Sequence, residues 1–278
     1  MRADRPSSTA RLIAAATVFL SRDRRYAHLV PAGAAEICAQ CLTPFWLNAT
    51  RMRWLPWAAE RATIPGLMLH FMLRKRWIEA AVRGALDRGC RQVVVLGAGF
   101  DTLAARLAPQ FAAAQFIEVD HPATQAPKRA AVQRSNLEFV AADLARVSLA
   151  QALGASAYKP GERSVFVLEG LLMYLSAEQV SALFAAIAGL QRSGGELVFT
   201  TMEPAPNGRS AFHNATWVER ALLAAWKEPV RWAISRNDLP VTLTGWGLRL
   251  REVADLAAAH PDLLLARGEI VVHATRNA

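Results

Sequence analysis

The pattern of apolar and polar positions divides the chain near residue 90. Before that point apolar residues recur with helical spacing, and after it short apolar runs rich in β-branched residues alternate with helix-like stretches. The first part is broken at four prolines, Pro31, Pro44, Pro56 and Pro65. The sequence therefore predicts a helical N-terminal segment over 1–90 and an α/β domain over 91–278.

Short apolar runs in the second part predict a doubly wound parallel sheet. The first five predicted strands are Gln92–Leu96, Gln115–Val119, Leu137–Ala141, Ser164–Leu168 and Glu196–Thr201. The first ends in a glycine turn followed by a helix-like stretch, Asp101–Ala108, and then the second strand, which is the order of a βαβ unit. A helical, tryptophan-rich insertion is predicted at about 205–240, and Arg249–Val253 and Glu269–Thr275 are predicted to close the sheet.

Acidic residues stand at or just past the end of four predicted strands. They are Asp120, Asp143, Glu169 and Glu203. In a doubly wound sheet, ligands bind in the crevice at the carboxyl ends of the strands. We therefore expect these carboxylates to converge on one crevice.

Composition and charge narrow the class of protein. Apolar residues make up 53% of the 278 and charged residues 20%, which excludes a disordered chain. The formal net charge is +9, and all of it lies in residues 1–92, where 15 Lys and Arg face 6 Asp and Glu. Such a basic segment suits polyanions, anionic lipid or an acidic small molecule. Its arginines are dispersed rather than in one dense block, so nucleic acid is not predicted as a partner.

Cysteine usage and the N-terminus bear on compartment and metals. The three cysteines, Cys38, Cys41 and Cys90, are interpreted as ordinary thiols, and no clustered set of metal ligands is present. The apolar run 12–20 ends in an arginine-rich stretch instead of a cleavage site, and no later run is long enough to span a bilayer. We interpret it as a helix, capped by Ser7, Ser8 or Thr9, in a cytoplasmic protein with no membrane span.

The glycine turn admits two cofactors. Gly97 and Gly99 directly follow a strand and suit close approach of a nucleotide or an amino-acid carboxylate, and Asp120 stands where a ribose-binding acid belongs. Thr102 occupies the place of the third glycine of the NAD fingerprint. S-adenosylmethionine has a ribose but no pyrophosphate, and its positive groups suit Asp101 and Glu169. The pattern favours S-adenosylmethionine over NAD.

Three motifs together resemble a known family. They are Val95-Leu-Gly-Ala-Gly-Phe-Asp101-Thr102, Ile117-Glu-Val-Asp120-His121-Pro122 and Leu168-Glu169-Gly-Leu-Leu-Met-Tyr174-Leu175. In this order they look like the signatures of the leucine carboxyl methyltransferase family and its bacterial O-methyltransferase relatives. The resemblance implies a class I methyltransferase fold, that is, a Rossmann-like, doubly wound, seven-stranded sheet with a helical N-terminal lid.

The resemblance also implies roles for single residues around S-adenosylmethionine. Gly97, Ala98 and Gly99 would line its methionine part, Asp120 would bind its ribose, and Asp143 with Leu144 would lie at its adenine. Glu169 would lie near the methionine amine, and Arg74 matches an arginine that pairs with the cofactor carboxylate. The residues Leu69-His70-Phe71 differ from the Arg-Gly-Tyr pattern of the eukaryotic enzymes, so their protein-phosphatase substrate is not carried over.

The expected acceptor is a small organic molecule, and the basic segment over 1–92 suits an acidic one. Seven tryptophans in the two segments that would cover the crevice predict an aromatic cavity, with plain hydrophobic packing as the alternative: Trp46, Trp54, Trp57, Trp77, Trp217, Trp226 and Trp232. A carboxylate acceptor needs no base. A hydroxyl acceptor needs one, and the candidates are His70 and Tyr174, followed by His213 and Glu203.

Two other functions remain open from the sequence. One is an NAD(P)-dependent oxidoreductase, against which the missing third glycine counts. The other is a catalytically silent nucleotide-binding protein, against which the full set of acidic strand ends counts.

Overall fold

A computed structural model describes residues 7–52, 54–144, 146–191, 194–205, 208, 210–226 and 230–276. Its α-helices are α1 Ser8–Leu20, α2 Ala34–Cys41, α3 Pro44–Ala49, α4 Leu55–Thr63, α5 Leu67–Asp87, α6 Leu103–Leu107, α7 Pro122–Ala131, α8 Leu149–Gly154, α9 Ala177–Leu190, α10 Trp217–Trp226, α11 Leu239–Gly245 and α12 Leu256–Ala259. Short 3₁₀ turns cover Ala27–Leu29 and Leu172–Tyr174. The strands are β1 Gln92–Leu96, β2 Gln115–Asp120, β3 Leu137–Ala141, β4 Ser164–Leu168, β5 Glu196–Met202, β6 Leu248–Ala254 and β7 Glu269–Arg276.

The strands form one seven-stranded sheet in the order β3-β2-β1-β4-β5-β7-β6. Strands β1 to β5 pair in parallel, as predicted. Strand β7 departs from the parallel arrangement, since it is antiparallel to both β5 and β6. The connection from β6 to β7 contains only the four-residue α12, and such a short return favours an antiparallel neighbour.

The predicted strand positions agree closely with the structure because the central strands are buried along their whole length. Every residue of β1, β4 and β5 is buried, and strands covered on both faces appear in a sequence as continuous apolar runs. The chain order reverses between β1 and its two neighbours, β2 and β4. A crevice is expected at that switch point, at the carboxyl ends of these strands.

The N-terminal helices share a core with the sheet. Phe19 and Leu20 of α1 and Met72 of α5 belong to one buried cluster with Val93 of β1. The opposite face of the sheet has its own core, which includes Phe184 of α9 and Phe166 of β4. The sheet is therefore the middle of three layers, and α5 fixes the N-terminal helices to it. The separation of 1–90 as a lid stays a prediction.

Helix ends follow local sequence signals. Ser7 is the N-cap of α1 and its hydroxyl accepts a hydrogen bond from the Ala10 N–H at 3.2 Å, which confirms one of the three predicted caps. Helix α6 begins two residues later than predicted, because the Asp101 carboxylate accepts the Leu103 N–H instead of entering the helix.

The region between β5 and β6 is less helical than predicted. It contains α10 and α11, but residues 230–238 form no helix. The prediction also included Trp226, whose side chain lies outside what the structure describes. In the described ranges, no helix is long and apolar enough to cross a membrane, and Cys38, Cys41 and Cys90 are buried free thiols.

The start of α5 depends on Gly66. Its φ is +83°, and a Cβ there would lie 2.4 Å from the backbone oxygen of Leu264. We expect Gly66→Ala to lower the free energy of unfolding by at least about 2 kcal/mol, because left-handed strain and a clash with backbone add together. Urea unfolding measures this change.

The matched control is Gly189→Ala within α9, where an added Cβ meets no atom within 4 Å. We expect it to stabilise the protein by about 0.5 to 1 kcal/mol, since glycine disfavours a helix interior. Equal stability of the two variants would contradict the close approach at Gly66.

Candidate functional site

A cavity of about 760 Å³ opens at the carboxyl ends of the central strands. This volume is within the range of small-molecule sites. Its walls come from the loops after β1, β2, β3 and β4, together with α1 and α5. The predicted site residues that line it are Arg74, Gly97, Ala98, Gly99, Asp101, Asp120, Asp143, Leu144, Glu169 and Tyr174. Three of the four predicted strand-end carboxylates, Asp120, Asp143 and Glu169, thus meet at one cavity, and the prediction is wrong for Glu203 after β5, which does not line it.

The glycine turn after β1 brings backbone to the cavity wall. Gly97 and Gly99 have φ values of +65° and +50°, which favour glycine. A Cβ at Gly97 would lie 3.0 Å from a methyl carbon of Leu171. A larger residue would therefore disturb both the turn and the opposite wall of the cavity.

Asp120 is fixed by backbone at the end of β2. Its Oδ2 accepts the Gly99 N–H at 2.5 Å and its Oδ1 accepts the His121 N–H at 2.6 Å. Burial raises the pKa of this carboxyl, and the two N–H donors act in the opposite direction. Each carboxylate oxygen has a second lone pair, so Asp120 can still accept hydrogen bonds from a ligand hydroxyl.

The loop after β3 supplies the far end of the cavity. Asp143 and Leu144 both line it, and Asp143 Oδ2 lies 3.5 Å from Nε of the exposed Arg146. His121 also lines the cavity, although the sequence analysis used it only as part of a motif. An acidic group beside an apolar one is suited to an adenine ring with its amine.

Arg74 of α5 lines the cavity and is held by two carboxylates, those of Glu169 and Glu269. Its Nε and Nη2 donate to Glu169 Oε1 at 3.0 and 2.7 Å. Its Nη1 donates to both oxygens of Glu269 at 2.9 Å each. These bonds use four of the five guanidinium N–H groups. The sequence-based expectation that Arg74 clamps a ligand carboxylate therefore needs correction, because one Nη2 hydrogen remains.

Lys75 is a site residue that the sequence analysis missed. It lines the cavity, and its Nζ donates to Asp101 at 2.7 Å and to Glu169 at 3.0 Å. Burial acts to lower the pKa of Lys75, but the two carboxylates outweigh it and raise that pKa. The only sequence signal for Lys75 was its place next to Arg74.

The charges of the buried cluster around Arg74 and Lys75 do not cancel. Arg74 and Lys75 are opposed by three carboxylates, Asp101, Glu169 and Glu269. Burial acts to raise the pKa of Asp101 and of Glu269, but the neighbouring cations lower both, that of Glu269 to about 2. With all three acids ionised this cluster carries a net charge of −1; Asp101 and Glu169 line the cavity and favour positively charged groups on a ligand, whereas Glu269 does not line it.

Most of the candidate bases lie away from the cavity. The His70 ring is fully buried, with Nε2 2.7 Å from Glu269 Oε2, and does not line the cavity. The proposal of His70 as a base is therefore corrected to a role in positioning Glu269. His213 contacts the Glu203 carbonyl and Glu203 pairs with Arg236, also outside the lining. Tyr174 lines the cavity, with its hydroxyl 3.5 Å from Thr9 Oγ1.

The prediction of a tryptophan-lined cavity is wrong for the tryptophans whose side chains are described. None of these lines it. Trp57 packs against Phe19 and Tyr26 with ring centroids 5.6 Å apart, so hydrophobic packing is what the structure shows there. The aromatic rings that line it are instead those of Phe71, Phe100, Tyr174 and Phe212, and no sequence signal marked the three phenylalanines as lining residues.

The buried pairing around Arg74 leads to a stability prediction. Arg74→Met should lower the free energy of unfolding by about 3 to 5 kcal/mol, because Glu169 and Glu269 would remain buried without their partner. The control on the same helix is Arg83→Met, whose half-exposed pair with Glu79 should contribute about 0 to 1 kcal/mol.

A double-variant cycle checks the cause. Adding Glu269→Gln to Arg74→Met should cost less than the sum of the two single variants, as measured by urea unfolding. Strict additivity would contradict direct coupling between the two side chains.

Comparison with protein families and curated proteins gives consistent matches. Residues 9–188 match the family model described as leucine carboxyl methyltransferase. A protein of Mycolicibacterium paratuberculosis, provisionally named an S-adenosyl-L-methionine-dependent methyltransferase, is 33% identical over 179 residues, which cover 62% of this chain and 58% of the relative. One of Frankia alni with the same provisional description is 36% identical over 136 residues, 47% of this chain and 48% of the relative. The chain thus aligns with about half the length of these relatives.

Solved structures with low identity show the fold. A provisionally named methyltransferase from Thermobifida fusca has a TM-score of 0.57 and 18% identity, and the match covers 99% of this chain and 96% of that one. Human N-acetylserotonin methyltransferase has a TM-score of 0.51 and 12% identity, covering 99% and 74%. The predicted α/β class I methyltransferase fold is confirmed.

Proposed function

The chain belongs to the leucine carboxyl methyltransferase family, and we propose that it is an S-adenosylmethionine-dependent O-methyltransferase acting on a small organic acceptor. The observation that carries the proposal is the single cavity at which Gly97, Gly99, Asp120, Asp143 and Glu169 meet. The glycine turn would then hold the methionine part of that cofactor, Asp120 its ribose and Asp143 its adenine.

The charge of the cavity fits S-adenosylmethionine. Its sulfonium and ammonium are positive, and the carboxylates of Asp101, Asp120 and Glu169 line the cavity. A dinucleotide would bring a pyrophosphate of charge −2 to the same carboxylates. The charge balance therefore supports S-adenosylmethionine over NAD(P), in agreement with Thr102 in place of the third glycine.

Single residues have proposed parts in binding. Asp120 would accept the ribose hydroxyls, and Asp143 with Leu144 would contact the adenine. Glu169 and Asp101 lie where the positive groups would be, each bonded to Lys75. Arg74 would give its remaining N–H to the cofactor carboxylate, and its main role would be to hold Glu169 in place.

The reaction asks the protein chiefly for alignment and dryness. S-adenosylmethionine supplies a methyl group activated on a sulfonium, and in-line displacement requires the acceptor oxygen to be held opposite the sulfur. Helix α1 covers the cavity with Thr9, Ala10 and Ile13, and the rings of Phe71 and Phe212 also line it. These groups would exclude water from the transfer.

The distribution of bases supports a carboxylate acceptor. An ionised carboxylate attacks without a base, and of the four candidate bases Tyr174 is the one that lines the cavity. If the acceptor is a hydroxyl, Tyr174 would orient it. The cavity lining also includes Arg231, for which no ion pair is found within the described ranges. Arg231 would attract a negative group on the acceptor.

Cofactor binding is tested by calorimetry with S-adenosylmethionine, its demethylated product and NADH. Asp120→Asn should weaken binding of S-adenosylmethionine at least about tenfold, because charge-assisted hydrogen bonds contribute about 1.5 to 3 kcal/mol each. The exposed Asp262, outside the cavity, gives the matched control Asp262→Asn, for which no change is expected. Tighter binding of NADH would overturn the proposal, and cofactor binding without transfer to any acceptor would favour the silent nucleotide-binding protein.

Acceptor charge is tested by a methyl-transfer screen of paired organic acids and neutral alcohols at two salt concentrations. Arg231→Gln should raise the KM of acidic acceptors about fivefold or more and leave neutral ones unchanged, because one charge pair is lost. The control is Arg249→Gln on the edge strand β6. A preference for neutral acceptors that salt does not alter would contradict an anionic acceptor.

A further inference from the structure

Basic side chains meet at the end of α1 that is remote from the cavity, and exposed apolar side chains occur in the adjoining segment 45–54. We call this the basic-aromatic surface, and it comprises Arg22, Arg24, Arg25, Phe45, Arg51, Met52 and Trp54. None of these residues lines the cofactor cavity. The proposed methyl transfer therefore leaves this surface without a role.

Several contacts bring its segments together. Arg22, Arg24 and Arg25 from the turn after α1 line one shallow hollow with Arg51 from the end of α3. Arg22 Nη1 donates to Thr50 Oγ1 at 2.9 Å, which joins the two segments. The Arg25 guanidinium lies 5.7 Å from the ring centroid of Trp57, one turn after Trp54 in sequence.

The apolar members of the surface are unusually exposed. Phe45 is 75% exposed and Trp54 70%, and Met52 between them in sequence is also exposed. Large aromatic side chains normally bury most of their area in a folded protein. Two such side chains in the segment that contributes Arg51 to the hollow indicate that a binding partner covers this surface when the protein functions.

The charge identifies the kind of partner. Asp23 pairs with Arg25, and among the residues that the structure describes no carboxylate pairs with Arg22, Arg24 or Arg51. The surface lies within residues 1–92, which hold the whole net charge of +9. A partner must therefore be anionic and must also accept apolar rings next to its charges.

We infer that the basic-aromatic surface docks on an anionic lipid bilayer. The arginines would bind headgroup phosphates, and Trp54, Phe45 and Met52 would enter the interface between headgroups and acyl chains, where amphipathic aromatic rings are favoured. A second copy of this chain that docked through its own basic-aromatic surface would bring the same positive charge and be repelled. The inference concerns a surface contact and does not depend on the proposed methyl transfer.

Vesicle sedimentation tests the inference. The protein should bind vesicles containing 30% phosphatidylserine in phosphatidylcholine and should be released by salt, whereas pure phosphatidylcholine should bind it weakly. The pair Arg24→Glu and Arg51→Glu should reduce binding at least about tenfold, since each basic side chain near an anionic surface contributes about fivefold. The pair Phe45→Ser and Trp54→Ser should also reduce it severalfold, and should abolish quenching of tryptophan fluorescence by brominated lipid.

Controls come from the opposite side of the molecule. Val241 of α11 is 78% exposed and Arg251 of β6 is also exposed, so Val241→Ser and Arg251→Glu should leave vesicle binding unchanged. Circular dichroism checks that every variant folds. The inference is overturned if anionic and neutral vesicles bind equally, if Trp54→Ser changes the oligomeric mass instead of vesicle binding, or if the arginines bind an oligonucleotide without any contribution from the aromatic residues.

Discussion

The buried pairing of Arg74 with Glu169 and Glu269 is the interaction on which the site depends. These three side chains come from α5, the end of β4 and the start of β7, which lie far apart in sequence. A buried charge without its partners is strongly destabilising, so each of the three elements is held in register by the others. His70 extends the pairing to a fourth side chain by contacting Glu269. The same bonds therefore fix α5 over the sheet and hold Arg74 and Glu169 at the wall of the cavity.

Much of the fold was predictable because its signals are local. The bounds of β1, β3 and β4 agree with the predicted runs. The strands β1 and β4 are fully buried and almost entirely apolar, and a glycine turn or an acidic residue follows each of the three strands. The direction of β7 was not predictable, because pairing direction depends on chain connections rather than on the run itself. The segment after β5 contains α10 and α11 but no helix over 230–238, which shows that helix length was also not predictable there.

The candidate site was predictable at the strand ends and less so on α5. Asp120 and Asp143 could be found because topology alone brings strand ends to one edge. Lys75 and Glu269 could not be found in this way, because the ion pairs of Lys75 with Asp101 and Glu169, and of Glu269 with Arg74, depend on how α5 lies against the sheet. His70 and Arg74 share one face of α5, yet only Arg74 lines the cavity. Helical spacing shows which residues share a face, but it does not show which of them reaches a cavity. The tryptophans were assigned by proximity in sequence, which does not determine the direction of a side chain.

Helix α1 connects the two surfaces to which we assign binding. Thr9, Ala10 and Ile13 in its first half line the cavity, and Arg22 directly follows its last turn. Thirteen residues span about 20 Å, so a docked membrane would lie at the far end of α1 from the cavity. The apolar residues of α1, including Phe19 and Leu20, are packed into the main core. A bilayer contact at residues 22–25 would therefore hold the same helix that covers the cavity. The carboxylates that line the cavity would lie at the other end of α1, away from the anionic lipid surface.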